Sequence, residues 1–239
     1  MRLIQITDLH IPDTDEDAYG IDVKKNLIQA IEHIQNQNFD MLVVTGDVAF
    51  KRPNNRSYEY VKQVLQNIWK PIYMIAGNHD STSELIKFFP KSFPANKGYY
   101  SITYVGVEFI FLDSSQGFID SEQLEWLQSK LENTNQAYIF IHHPVLQTDV
   151  VYMESKYVLQ NRDELIKILK AFNNPVYLFS GHFHIERTII EENIMQYITP
   201  SILYQINPES TTFSIGSRAF GYREIEIKDS MVSTNVVWL

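Results

Sequence analysis

Five times along this chain a β-rich apolar run breaks into residues that bind metals or move protons. The runs end in Asp8-Leu9-His10, in Thr45-Gly46-Asp47, in Gly77-Asn78-His79-Asp80, in His142-His143-Pro144 and in Gly181-His182-Phe183-His184. The clearest case is Ile72 to Ala76, an apolar stretch that drives directly into Gly-Asn-His-Asp. Apolar runs of this kind read as strands buried on both faces, which need helices or a second sheet to cover them. Gly77 is expected to let the chain turn hard at the strand end.

Between these runs the periodicity changes. Helices are expected over 22–37, 56–69, 121–133 and 159–172, each with apolar residues on one face, and a short one over 81–89 closed by Pro90. Asp22 is placed to cap the first helix, and Asp120 or Ser121 the fourth. Pro71 ends the second helix and opens the third strand. Up to residue 90 the order is β-α-β-α-β, which implies parallel strands with crossover helices. A hairpin follows, with strands over 99–104 and 107–112 flanking Val105-Gly106. Residues 145–158 are too irregular to assign. The last fifty or so residues alternate in short strands, at 187–190, 195–198, 211–215, 222–227 and 232–237. Residues 11–21 form a loop whose acids Asp13, Asp15, Glu16 and Asp17 read as a solvated cluster. No internal repeat or linker divides the 239 residues, so a single domain over 1–239 is expected.

In an open α/β sheet, ligands gather beyond the carboxyl ends of the strands. If the five runs share two sheets, their terminal side chains meet in one crevice. The set is Asp, His and Asn. The chain has no cysteine, which excludes disulfides, thiolate metal sites and cysteine nucleophiles. Such donors suit Mn, Fe or Zn and do not suit structural zinc. Asp8 and His10, like His182 and His184, are two residues apart, which puts both on one side of an extended stretch. Asp47 is the natural carboxylate to bridge two ions.

The net charge of −9 repels phosphate backbones, so nucleic-acid binding is not expected. A phosphate can still bind locally where metal ions supply the positive charge. No run approaches the ~20 apolar residues of a membrane span, and the N-terminus lacks signal-peptide character. A cytoplasmic protein without membrane contact is expected. The sequence specifies no oligomeric state.

Taken together and in order, Asp8-x-His10, Gly46-Asp47, Gly77-Asn78-His79-Asp80, His142-His143-Pro144 and Gly181-His182-x-His184 resemble the calcineurin-like metallophosphoesterase superfamily. Tyr19-Gly20-Ile21-Asp22, Asn161-x-Asp163-Glu164-Leu165, Thr199-Pro200-Ser201-x-x-x-Gln205 and Gly221-Tyr222-Arg223 are similar to its class III cyclic-nucleotide phosphodiesterase branch. The resemblance implies an α/β fold, a four-layer α/β/β/α sandwich of two mixed sheets flanked by helices. It also implies a binuclear centre for two divalent metal ions. Asp8, His10, Asp47 and His184 would hold one, and Asp47, Asn78, His142 and His182 the other. His142 is assigned the metal over His143 because it follows the strand directly. His143, with Asn78 and His79, is placed on the substrate side.

The catalytic pair implied is His79, protonated and facing the phosphate, with Asp80 orienting its ring. Hydrolysis would run through a hydroxide generated between the ions, with a small phosphoester, a 3′,5′-cyclic nucleotide, as substrate. Rival expectations are a nucleotide pyrophosphatase or phosphomonoesterase on the same scaffold, and a non-catalytic scaffold protein. Tyr19, Tyr152, Tyr157 and Phe220 are possible stacking surfaces for a base, and Arg218 and Arg223 possible phosphate contacts.

Overall fold

The computed structural model describes residues 1–14, 16–132 and 134–239. Asp15 of the acidic loop, and Asn133 at the expected end of the fourth helix, lie outside the described residues. The chain runs β1 (Arg2–Ile6), α1 (Val23–Gln35), β2 (Met41–Val44), α2 (Asn55–Leu65), β3 (Ile72–Met74) and α3 (Thr82–Phe88). The hairpin β4 (Tyr100–Tyr104) and β5 (Val107–Leu112) follows, then α4 (Ser121–Leu131), β6 (Ala137–Ile141), α5 (Val151–Glu154), α6 (Arg162–Ala171) and β7 (Val176–Ser180). The chain closes with β8 (Arg187–Glu191), β9 (Ile194–Ile198), β10 (Gln205–Ile206), β11 (Ile215–Ser217), β12 (Gly221–Lys228) and β13 (Met231–Trp238).

Two large mixed sheets result, in the orders β13-β12-β1-β2-β3 and β4-β5-β6-β7-β9-β8. β1, β2 and β3 are parallel, and β12 joins β1 antiparallel. In the second sheet β5, β6, β7 and β9 are parallel.

Strand alternation explains the layering. Phe109, Phe111, Phe140 and Phe179 point inward and pack with the first sheet in one core. Ile110, Leu112, Ile139, Ile141 and Leu178 point outward, onto Leu124, Leu127 and Leu131 of α4 and Leu165 and Leu169 of α6. α1 and α2 cover the first sheet with Leu27, Ile31, Ile34, Val61 and Leu65. The inner face carries a ladder of stacked rings across neighbouring strands. Tyr100–Phe111, Phe111–Phe140, Phe140–Phe179 and Phe179–Tyr197 have centroids 4.6, 5.2, 5.2 and 5.4 Å apart.

Local signals acted as expected at most helix starts. The Asp22 side chain accepts from the Lys25 amide, and Asp120 from the Gln123 amide. The departures fall in irregular stretches. The connection 145–158 contains the short helix α5. The strand expected at 211–215 begins only at Ile215, where it pairs with the unforeseen β10. The second helix ends at Leu65 rather than 69, well before Pro71. No described helix is long and apolar enough to cross a membrane.

Strand register places the site. Ile6, Val44 and Met74 lie side by side at the ends of β1, β2 and β3. Phe140 is level with Phe179 in β6 and β7, one residue from each strand end. Within each sheet the motifs therefore begin at nearly the same height.

Candidate metal centre

Beyond β1 and β2 the two loops zip together. The Asp8 amide donates to the Gly46 carbonyl at 3.0 Å, and the His10 amide to the Asp47 carbonyl at 2.8 Å. In the second sheet the Gly181 amide donates to the His142 carbonyl at 3.1 Å. Asp8, His10, Asp47, His182 and His184 all have left-handed backbones, with φ between 44° and 66°. Non-glycine residues avoid that region, and runs of such strain cluster where a side chain must be aimed.

Two glycines permit the close approach. Gly46 has φ +99°, and a Cβ there would stand 2.5 Å from the Gly77 nitrogen. Gly77 itself does not have a positive φ, contrary to the expected hard turn. Its requirement is space, because a Cβ would collide with the carboxylate and backbone nitrogen of Asp47.

Two groups of buried donors result. In Asp8, His10 and His184, and again in Asp47, His142 and His182, one ligand atom from each residue lies within 4.8 Å of the others. Backbone carbonyls fix the imidazole tautomers. A carbonyl only accepts, so the ring nitrogen facing it must donate. His10 Nδ1 donates to Phe50 O at 3.1 Å, His184 Nδ1 to Tyr204 O at 3.1 Å, and His142 Nδ1 to Thr45 O at 2.7 Å. His182 is reversed, with Nε2 donating to Tyr157 O at 2.8 Å, so its Nδ1 is the free atom.

The opposite nitrogens then face the centre. His10 Nε2 and His184 Nε2 face each other at 2.9 Å, both turned into the centre. Asp8 Oδ2 accepts from Thr7 Oγ1 and the His182 amide, both at 2.9 Å. Its other oxygen, Oδ1, is buried, has no hydrogen-bond partner, and points at His184 Nε2 3.4 Å away. Asp47 Oδ1 accepts the His79 amide, while Oδ2 is 3.5 Å from both His10 Nε2 and His142 Nε2. Asn78 Oδ1 is 3.2 Å from His142 Nε2. Converging acceptors around an orphaned carboxylate oxygen are what a divalent cation satisfies, and carbonyl-anchored imidazoles are the usual support of such ligands. The donors therefore fit two divalent cations of the Mn, Fe or Zn type.

The titration behaviour agrees. Burial pushes His10 down to about 4 and His182 down to about 3, leaving both rings neutral and able to ligate at pH 7. His142 rises to about 9, because the Asp47 carboxylate outweighs the opposing effect of burial. A proton there takes the place a cation would occupy. Asp8 falls to about 2, since the neighbouring His184 and His142 charges overcome the burial that would raise it.

A cavity of about 270 Å³ opens from the centre, lined at its base by His10, Asp47, Asn78, His79, His182 and His184. Residues 1–186 match the calcineurin-like phosphoesterase family. This chain belongs to that family. It is 32% identical over 239 residues to a probable cyclic nucleotide phosphodiesterase of Fibrobacter succinogenes, covering 99% of this chain and 93% of the relative. It is 27% identical to a 3′,5′-cyclic adenosine monophosphate phosphodiesterase of Haemophilus influenzae, covering 99% and 89%. In fold it is similar to a dimetal phosphatase from Danio rerio, with TM-score 0.69, 14% identity and coverage of 99% and 98%.

Several expected roles need correction for this phosphoesterase. Asp80 does not orient His79. Its carboxylate accepts the amides of Val48, Ala49 and Gly77, each at 3.1 Å, and the Tyr58 hydroxyl at 3.3 Å. It braces the two loops that carry Asp47 and Asn78. Burial and the nearby Asp47 charge push it up to about 6.

His143 is not on the substrate side. It is buried behind His182, with ring centroids 4.2 Å apart, and pairs with Ser114 Oγ at 2.8 Å. Phe220 is buried outside the cavity, and Arg218 does not line it. Arg223 is buried and bonds Thr199, Thr234, Glu186 and the Ile198 carbonyl, a tie between the sheets and not a phosphate contact. Ser201 and Gln205 are likewise supports. The Ser201 hydroxyl donates to the Asp8 carbonyl at 3.0 Å, and the Gln205 amide to the Ser201 carbonyl at 3.0 Å.

Tyr19, Tyr152 and Tyr157 do line the cavity, joined by Phe50, Lys51, Tyr204 and Phe213, which the sequence reading missed. The carbonyls that fix the histidines were also missed, because backbone groups leave no sequence signal.

Proposed function

We propose that this phosphoesterase is a phosphodiesterase that hydrolyses 3′,5′-cyclic nucleotides to 5′-monophosphates, using two divalent cations. Asp8, His10, Asp47 and His184 would hold one, and Asp47, Asn78, His142 and His182 the other. The observation that carries this reading is Asp47 Oδ2, equidistant at 3.5 Å from a ring nitrogen of each group. When bound, the two cations supply positive charge against the phosphoryl oxygens and a source of hydroxide at neutral pH.

The remaining chemistry belongs to the chain. His79 stands at the cavity base, one-third exposed, with Nε2 3.9 Å from Asp47 Oδ2. It is within reach of a phosphate seated over the centre and delivers the proton that the departing O3′ must gain. The backbone amide of His79, donating to Asp47 Oδ1 at 2.9 Å, keeps that side chain and the bridging carboxylate in register. Lys51 adds positive charge at the rim.

The substrate assignment draws on the relatives named above and on the small, aromatic-lined cavity. A single domain over 1–239 belongs to the same reading. It is supported by β12 and β13, which complete the first sheet beside β1. A cytoplasmic location, where cyclic nucleotides are made and consumed, is consistent with it.

The test is a substrate panel on protein reconstituted with Mn and with Fe: cyclic nucleotides, dinucleoside phosphates, nucleotide sugars and phosphomonoesters. Cyclic nucleotides should show the highest kcat/KM. Faster turnover of a nucleotide sugar or monoester would replace this reading with a pyrophosphatase or phosphatase. No metal-stimulated turnover of any ester would make the chain a scaffold.

A further inference from the structure

The outer half of the cavity is built from aromatic rings of four separate segments. Phe50 follows β2, Tyr19 sits in the loop before α1, Tyr152 and Tyr157 belong to α5 and the turn after it, and Phe213 precedes β11. They follow one another in one arc, in T-shaped or tilted contacts. Phe50–Tyr19, Tyr19–Phe213, Phe213–Tyr152 and Tyr152–Tyr157 have centroids 5.7, 5.3, 6.3 and 5.5 Å apart. Both ends are anchored to the candidate centre. Phe50 packs on His10 at 6.1 Å and lends it its carbonyl, and the Tyr157 carbonyl accepts from His182.

Core rings behave differently. Phe111, Phe140 and Phe179 are fully covered, with other rings against their faces. Tyr19, Tyr157 and Phe213 remain 43%, 43% and 39% exposed although they border the cavity. Large planar side chains left uncovered in a concave site are unused stacking surface. The lining contains one carboxylate, Asp47 at the base, and one lysine, Lys51, whose Nζ is 5.1 Å from the Phe50 ring centroid, so the rest of the arc is uncharged.

We propose that this arc is a stacking wall that selects phosphodiesters bearing a nucleobase on the sugar of the scissile phosphate, with Tyr19 and Phe213 as its central contacts. The proposal rests on the phosphodiester reading of the centre but not on the ester being cyclic. A phosphate at the cavity base leaves an attached base within the aromatic half, and the 270 Å³ volume, below the usual ~300–1,000 Å³ of ligand pockets, admits one small ligand. Base–aromatic stacking tolerates any base, so selection is for the presence of a base more than for its identity.

The experiment uses Mn-loaded protein and two matched pairs of esters. One pair is 3′,5′-cyclic AMP and the same cyclic sugar phosphate with hydrogen in place of the base. The other is the methyl ester of 5′-AMP and its base-free counterpart. Wild type should prefer the base-bearing member of each pair in kcat/KM. Tyr19→Ala and Phe213→Ala should each shrink that preference by roughly 5- to 150-fold, the range of one lost stacking contact. Tyr19→Phe and Phe213→Tyr should retain it. The calorimetric Kd for 5′-AMP should weaken in the alanine variants by a similar factor.

A wild type indifferent to the base overturns the proposal, as does a preference or Kd that survives both alanine changes. The cyclic-against-linear ranking is read separately: preference for the linear pair removes the cyclic-nucleotide reading while leaving the stacking wall standing.

Discussion

Arg223→Met tests whether the buried guanidinium holds the two sheets together above the centre. Arg223 lies in β12 and is 2% exposed. Nε donates to Thr199 Oγ1 at 3.0 Å, and a terminal nitrogen to the Ile198 carbonyl at 2.9 Å, both at the end of β9 in the other sheet. Thr199 passes the connection on, donating to Gln5 Oε1 at 2.7 Å. Gln5 Nε2 donates to Thr45 Oγ1 at 2.9 Å and to the Ser180 carbonyl at 3.2 Å. The bonds to Thr234 and to Glu186, which is 41% exposed, are replaceable by water and are left out of the sum.

Hydrogen bonds from a charged donor contribute about 1.5–3 kcal/mol each, so the two buried ones are worth about 3–6 kcal/mol. Methionine recovers about 1–2 kcal/mol by apolar burial, leaving a net loss of about 2–4 kcal/mol. An unfolding entropy near 2.1 cal/mol/K per residue, over 239 residues, makes each kcal/mol worth about 2 °C, so Tm should fall by about 4–8 °C. Urea and thermal melts of the metal-loaded protein measure it, with metal content checked in parallel because Arg223 touches no candidate ligand. A variant within 0.5 kcal/mol of wild type, or a more stable one, would refute the reasoning. Desolvation of the guanidinium would then outweigh its bonds, as happens with some buried charges.

Asp47→Asn should lower bound metal from two ions to one or fewer and abolish turnover, measured by elemental analysis beside the diester assay; full metal content would remove Asp47 from the bridge. His79→Ala should keep both metals while losing turnover, and loss of metal there would make His79 a ligand instead of a proton donor. Gly77→Ala forces a methyl onto Asp47 and should cost about 1–3 kcal/mol of stability together with metal affinity, read by melts and by metal titration. Burial raises Tyr138 and Tyr222 to about 12, so native tyrosines keep protons that the unfolded chain releases above pH 10. Stability is complete below pH 10 and should decline as pH rises from 10 through 12. Titration of these tyrosines near pH 10 in the folded protein, followed by absorbance, would contradict this.

The layers and the convergence of the candidate donors were legible because both rest on local patterns. Apolar runs such as Met41–Val44 and Ala137–Ile141 have no polar face and therefore demand cover on both sides. Motifs placed at strand ends converge once register levels those ends. What was not legible depends on partners distant in sequence. Asp80 reads like an orienter of the adjacent His79, yet it turns to the amides of Val48 and Ala49, more than thirty residues away. His143 follows the same strand as His142 but faces Ser114. Phe220 and Phe213 look alike in sequence, and the β10–β11 pairing decides which of them reaches the cavity. Arg223 lies in a strand and could have pointed to either face. Its role follows from where β9 ends.

The central claim is that side chains from five strand ends hold two neighbouring cations. Anomalous scattering from crystals grown with Mn measures it directly. Two peaks per chain are expected, one among Asp8, His10 and His184 and the other among Asp47, His142 and His182, with Asp47 between them. A single peak, or two peaks away from Asp47, would contradict it.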